Sequence, residues 1–243
     1  MDPTAVAISL LCATSAVVIS LPPGVVIAWV LARRRFRGKV IVELLVMLPM
    51  VVPPVVTGYL LLILFSRHGW IGRPLFEWLH VRVAFTWLGA TVAQALIALP
   101  LLVLTLRVAI ESVDRELEQA ATTMGASSLR VFLRVTLPLS WHGLAAGCVL
   151  AFARALGEFG ATIIIAGNIA GRTRTLPLAI FSAYNQPGNE ATATGLVLIA
   201  IALACAALIV ARWLSARAIR AVTLRLRQNN SGGASKSRGS GHE

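Results

Sequence analysis

Five stretches of the chain are almost continuously apolar, at residues 4–31, 41–65, 84–106, 143–166 and 194–213. Each comes near or above the ~20 residues that an α-helix needs to cross the hydrocarbon core of a bilayer. The pattern predicts an all-α, polytopic membrane helix bundle with five transmembrane helices. The first run lacks the basic residues that precede the apolar region of a signal peptide, and it is longer than such a region, so it is read as a retained helix. Between the third and fourth runs lies a charged, sharply turned segment at about 109–142. Its pattern predicts two short helices set at an angle. Asp114 can cap the first, and Glu116 and Glu118 complement its N-terminal dipole. Ala120 and Ala121 keep one face small, and Gly125 supplies the left-handed conformation that ends the helix. Ser127 or Ser128 can cap the second helix, and Leu137-Pro138 is expected to end it before the chain re-enters the membrane.

Prolines punctuate the apolar runs. Pro22 and Pro23 are expected to interrupt the first, Pro49, Pro53 and Pro54 the second, and Pro100 the third. Each removes a backbone donor, which lipid tolerates only where protein or water satisfies the freed groups. The segment from Pro49 through Pro53, Pro54, Thr57 and Gly58 therefore faces the bundle interior, either lining a pathway or forming a static kink. The fourth run holds a deep ionisable pair, Arg154 and Glu158, four residues apart and hence expected on one helical face. An intramembrane charge is costly, and a partner one turn away is the cheapest way to neutralise it. Two roles stay open: a cation offered to a passing anion, or an ion pair that sets helix rotation. Gly157 and Gly160, which allow close helix approach, weigh toward packing.

Composition agrees with the membrane reading. Hydrophobic residues make up 57% and charged residues 13%, about half the usual share for soluble domains. The net charge of +12 raises the question of nucleic acid, but no basic helix face or aromatic platform accompanies it. The cations instead follow the membrane-orientation pattern. Five lie in 33–39, four in 107–142 and seven from Arg212 onward, sixteen in all, against five on the opposite side at Arg67, Arg73, Arg82, Arg172 and Arg174. The positive-inside rule then puts the N-terminus outside and the turned loop and C-terminus in the cytoplasm. The organisation expected is a membrane domain over 4–213 and a basic tail over 214–243, disordered from Gln228 onward where Asn, Ser and Gly dominate. Cys12, Cys148 and Cys205 are scattered through the spans as small packing residues. No Cys/His spacing resembles a metal site, and no catalytic constellation is found; His68, His80 and His142 sit at loop edges and His242 in the tail. The phosphate-cradling pattern is absent too, since Gly38-Lys39 lacks the upstream Gly and the following Ser or Thr. The chain is not expected to be an enzyme or to bind a cofactor itself.

The sequence Glu118-Gln-Ala-Ala-Thr-Thr-Met-Gly125, nine residues, then Val135-Thr-Leu137-Pro138 resembles the signature loop of importer-type ABC permeases, E-A-A-x3-G-x9-I-x-L-P. Val135 replaces the Ile and Gln119 the first Ala, while the spacing fits throughout. Three further segments extend the resemblance to the molybdate permease subunits of bacterial ABC importers: the run from Leu48 to Leu60, Ala151-Phe-Ala-Arg-Ala-Leu-Gly-Glu-Phe-Gly-Ala-Thr162 and Gly171-Arg-Thr-Arg-Thr-Leu-Pro177. Sulfate permeases are similar sisters and share the Ala-Arg-Ala-Leu-Gly-Glu wording. The resemblance implies a type I ABC importer permease fold in the bacterial inner membrane. It also implies a homodimer, two ATPase subunits that use ATP and Mg at the cytoplasmic side, and a periplasmic oxyanion-binding protein. The loop that docks on the ATPase would be carried by Glu118, Ala120, Ala121, Gly125, Leu137 and Pro138. The substrate implied is molybdate, with tungstate as co-substrate. Alternatives are sulfate or thiosulfate, a self-sufficient secondary anion transporter with Arg154–Glu158 as its only coupling candidate, or a scaffold without transport.

The sixteen-to-five charge asymmetry gives the first prediction. In a background without native thiols, a cysteine at Asp2 or Arg73 should react with a membrane-impermeant thiol reagent in intact cells. One at Ser127 or Ser237 should react only after permeabilisation; the reverse pattern overturns the orientation.

Overall fold

The computed structural model describes residues 3–213, so the tail expected over 214–243 lies outside the described residues. In chain order the helices are α1 (Pro3–Arg33), α2 (Lys39–Val51), α3 (Pro54–Phe65), α4 (Gly72–Leu79), α5 (Trp87–Glu111), α6 (Arg115–Thr123), α7 (Ser128–Val131), α8 (Leu137–Leu139), α9 (Trp141–Leu156), α10 (Gly160–Ala166) and α11 (Leu176–Tyr184). The last described helix is α12 (Glu190–Trp213). A π-helical stretch, Phe132–Thr136, joins α7 to α8. No strand occurs among the described residues.

α1, α5 and α12 are each long and apolar enough to cross a membrane, and the count reaches five if each of two bent helix pairs is one span. The second apolar run is one such pair, with α2 and α3 meeting at 108°. Only one of the expected proline interruptions breaks a helix. Val52 and Pro53 both take extended backbone (ψ 136° and 131°), because each precedes a proline, whose ring disfavours the helical region for its neighbour. α1 instead runs unbroken through Pro22 and Pro23, and α5 through Pro100. Both are packed along one another, and that burial outweighs the loss of single hydrogen bonds.

The helices approach closely because their contact faces are small. Ala13 and Ala16 of α1, Ala95, Ala98 and Leu102 of α5, and Ala151 and Ala155 of α9 form one buried cluster. Without a hydrophobic driving force between helices in lipid, close van der Waals packing of small residues supplies the cohesion. The Ser20 hydroxyl adds a hydrogen bond to the Ala95 carbonyl at 3.1 Å. Toward the turned loop, Ala28, Leu31, Val103, Leu106, Ile110 and Phe132 make a second cluster. At the opposite end α1 meets α11 and α12 through Ala5, Leu176, Ala179 and Leu196, and the Leu176 N–H donates to the Ser9 hydroxyl. α1 therefore links the two ends of the bundle.

α3 lies closely on α10. A Cβ added at Gly58 would stand 2.7 Å from both the Cα and the carbonyl oxygen of Ala161. Overpacking of this kind typically costs about 1–3 kcal/mol. Gly58→Ala should lower the thermal midpoint of the detergent-purified chain, and Gly58→Leu should deplete the folded fraction further. Gly38→Ala, where a Cβ meets only Phe36 at 3.8 Å, should leave the midpoint unchanged; equal effects at the two positions would contradict the packing.

Candidate functional site

The turned loop forms as its pattern requires, with differences that matter. The Asp114 carboxylate accepts from the Glu116 N–H at 2.9 Å and starts α6. Gly125 takes φ +84°, while its N–H bonds the Thr122 carbonyl at 2.9 Å and the Ala126 N–H bonds the Ala121 carbonyl at 3.1 Å. Those two bonds are the Schellman closure of a helix, which needs the left-handed residue that glycine supplies. Ser127 stands at the N-cap of α7, but its side chain makes no capping bond. Leu137-Pro138 does not end the second arm: the chain stays helical through Leu139 and bends by 73° into α9. The preceding π turn shifts the hydrogen-bond register, with the Leu137 N–H bonding the Phe132 carbonyl, which admits Pro138 without a break. The bend comes at Ser140, whose N–H and hydroxyl both bond the Thr136 carbonyl, at 3.0 and 2.9 Å.

α6 has two faces with different fates. None of its residues is buried, and Leu117, Ala120 and Met124 are exposed, Met124 at 88%. With Ala121 they occupy positions i, i+3, i+4 and i+7, a single apolar stripe. The neighbouring face carries Glu118, which turns inward. Its carboxylate lies 3.0 Å from Nε of Arg33, the last residue of α1, with side-chain exposures of only 16% and 10%. The Thr136 hydroxyl donates to the same carboxylate at 2.6 Å, and Arg33 Nη2 donates to the Val113 carbonyl at 2.9 Å. Sequence reasoning gave Glu118 the roles of dipole complement and partner contact; the structure spends it on an internal clamp joining α1, α6 and the π stretch. Beside the clamp lies a cleft of 260 Å³ lined by Trp29, Arg34, Arg115, Gln119 and Phe132 among others.

The second group of expected site residues comes together where two helix breaks meet. Pro54 and Val55 at the start of α3 face Gly160, where an added Cβ would stand 3.0 Å from Pro54 Cβ. Thr57, Gly58 and Glu158 are buried in the same region of packed helices. Arg154 and Glu158 do not share a helix, since α9 ends at Leu156 and α10 begins at Gly160. Glu158 sits in the gap, with one oxygen 3.0 Å from Arg154 Nη1 and the other accepting from the Ala161 N–H at 2.9 Å. It is thus both ion-pair partner and cap of α10, and it is 2% exposed against 34% for Arg154. Gly160 makes the close approach expected of it. Gly157 does not: a Cβ there would meet nothing nearer than 3.8 Å. Pro49 stays inside α2, about a turn before the break.

Two residues of these sites and one of the core escaped the sequence reading. Arg33 was counted among the loop cations, and its partner lies 85 positions away. Thr136 was passed over inside the Val-Thr-Leu-Pro motif. Gln94 sits fully buried on α5 with both amide atoms lacking a hydrogen-bond partner; a lone amide in an apolar run was the available signal.

A bundle of apolar helices with broken spans and a turned loop presenting a small-faced helix fits the membrane component of a transport system. The family described as binding-protein-dependent transport system inner membrane component matches residues 24–220, and the chain belongs to that family. It is 48% identical to the molybdenum transport system permease protein ModB of Haemophilus influenzae, across 89% of this chain and 95% of that one. It is 41% identical to a probable sulfate transport system permease protein of Chlorokybus atmophyticus, across 74% of this chain and 63% of that one. Among solved structures, a bacterial ABC transporter involved in the import of the acidic polysaccharide alginate is similar in fold, with TM-score 0.65 and 18% identity, covering 89% of this chain and 78% of that one.

Removing one member of a buried ion pair strands the other, at a cost of roughly 3 kcal/mol. Arg154→Met should therefore lower the thermal midpoint more than Arg154→Met combined with Glu158→Gln, because Gln keeps an acceptor for the Ala161 N–H. A double variant less stable than the single one would contradict this account of the pair.

Proposed function

We propose that the chain is the permease subunit of an ATP-driven importer that carries molybdate across the bacterial inner membrane, with tungstate as co-substrate because the two oxyanions nearly match in size. The observation that carries this reading is the 48% identity to a molybdenum transport system permease protein over nearly the whole of both chains. The sulfate relative is matched at lower identity and over less of its length. In this reading two copies of the chain form the membrane unit, and two ATPase subunits bind the turned loops on the cytoplasmic side. A periplasmic oxyanion-binding protein delivers the substrate. The N-terminus lies outside and the C-terminus inside. ATP and Mg act on the ATPase subunits, whose closure turns the pathway outward; hydrolysis and product release return it inward. The apolar stripe of Leu117, Ala120, Ala121 and Met124 is the part of α6 left free to enter an ATPase cleft. Arg154 keeps guanidinium nitrogens beyond the one bound to Glu158, a cation suited to an oxyanion at the meeting of the two breaks.

The test is uptake of radiolabelled molybdate in cells expressing the chain with its ATPase and binding protein. Uptake should vanish without the ATPase, fall with excess tungstate and persist in excess sulfate. Gly125→Val, which adds about 1–2 kcal/mol of left-handed backbone strain on the side of the loop open to a partner, should insert normally yet lose ATPase association and uptake. Uptake that survives ATPase removal, or that sulfate abolishes, overturns the reading.

A further inference from the structure

α6 is the element that would receive force from an ATPase, yet it is weakly attached to the bundle. It buries no residue of its own, and Leu117, Ala120 and Met124 of its apolar stripe are exposed. What ties it back is polar and concentrated on one side chain. Arg33 holds Glu118 in the middle of α6 at 3.0 Å and the Val113 carbonyl just before α6 at 2.9 Å. Charge-assisted bonds between half-buried groups are the strong kind, and the guanidinium also sits favourably at the C-terminal end of α1. The second arm is tied to both helices, to α6 through Thr136 on Glu118 and to α1 through a Trp29–Phe132 ring contact at 5.4 Å.

α1 suits the task of carrying a displacement onward. It is one unbroken helix of 31 residues, about 46 Å long at ~1.5 Å per residue. Its far end packs on α11 and α12, and its middle packs on α5 and α9, which leads to the break that holds Glu158. A push on α6 that moves Arg33 must move α1 along its length, because a helix is stiff and its contacts are close.

Resting on the reading of this chain as an ATPase-driven permease, we propose that Arg33 is a positioning residue for transport: through Glu118 it makes α1 move with the docking helix, so that ATP hydrolysis becomes motion at the far side of the membrane. Glu118 then serves coupling through a partner in its own chain. The apolar stripe serves attachment to the ATPase, and the two functions separate by mutation.

The experiment uses the assembled complex in lipid vesicles, with spin labels at Ala7, near the far end of α1, and at Trp70, in the turn after α3. In the wild-type chain, ATP should change the distance between the labels. Arg33→Met should keep the ATPase co-purifying but lose that change, and uptake per ATP hydrolysed should fall at least about fivefold, the lower edge of ordinary coupling free energies. Arg33→Lys should retain part of both. The exchange Arg33→Glu with Glu118→Arg should restore the distance change and the uptake ratio beyond either single variant, which a direct Glu118–ATPase contact would not do; retained co-purification of the ATPase in Arg33→Met separates the effect from a folding defect. An unchanged distance response in Arg33→Met, no ATP response in the wild type, or an exchange no better than its singles overturns the proposal. The label distance involves no cargo, so a wild-type complex that moves but carries no molybdate rejects the substrate reading and leaves the link standing.

Discussion

In hydrocarbon a backbone N–H or C=O without an internal partner costs several kcal/mol, so a membrane helix can break only where other protein covers the break. This constraint organises the molecule. The chain breaks at Val52–Pro53 and again at Gly157–Phe159, and it brings the two breaks together. α3 lies on α10 with Gly58 against Ala161 and Pro54 against Gly160. The Ala161 N–H in the first turn of α10 donates to Glu158, whose own charge is met by Arg154. The two breaks thus cover one another by close packing, and a side chain placed in the gap satisfies the Ala161 N–H. The same rule explains why Pro22, Pro23 and Pro100 leave their helices whole: α1 and α5 are pressed together over their length, and bending there would expose more than it satisfied.

Much of this was legible in the sequence where the determinants are local. The five apolar runs, the Asp114 cap, the reversal at Gly125 and the weakness around Pro53-Pro54 all depend on residues within a few positions of one another. What was not legible depends on distance in the chain. The proline rule alone could not tell α1 from the second run, because the difference lies in what packs against each. Glu158 four residues after Arg154 satisfies helical spacing and equally the geometry of a helix end with the acid folded back as a cap. Glu118 read as a surface acid because its partner, Arg33, belongs to a basic run some 85 residues earlier that charge counting treats as a block.

The proposed function sets two opposed requirements for one short helix. To enter a cleft on another protein, α6 needs a small, apolar, unburied face, which by itself would leave it loosely attached. To transmit anything, it needs a firm connection to the membrane helices. The structure divides these between faces about a third of a turn apart: Leu117, Ala120, Ala121 and Met124 outward, Glu118 inward. A π turn at Phe132–Thr136 brings the Thr136 hydroxyl to the same carboxylate, so both arms are gathered at one point. π turns are rare and often found where function requires such an adjustment.

The two sites are connected by the same small-residue packing that makes the bundle cohere. From Arg33 the path runs along α1 to Ala13 and Ala16, across Ala95 and Ala98 of α5, and onto Ala151 and Ala155 of α9. Glu158 follows within three residues. Side chains this small have no rotamers with which to absorb a displacement, so a shift of one helix is passed to the next as a shift of backbone. Large, flexible side chains at the same positions would take up the motion locally. The alanine content of the core therefore bears on how a displacement is passed as much as on stability, and among the described residues it leads from the Arg33–Glu118 clamp to the deep Arg154–Glu158 pair.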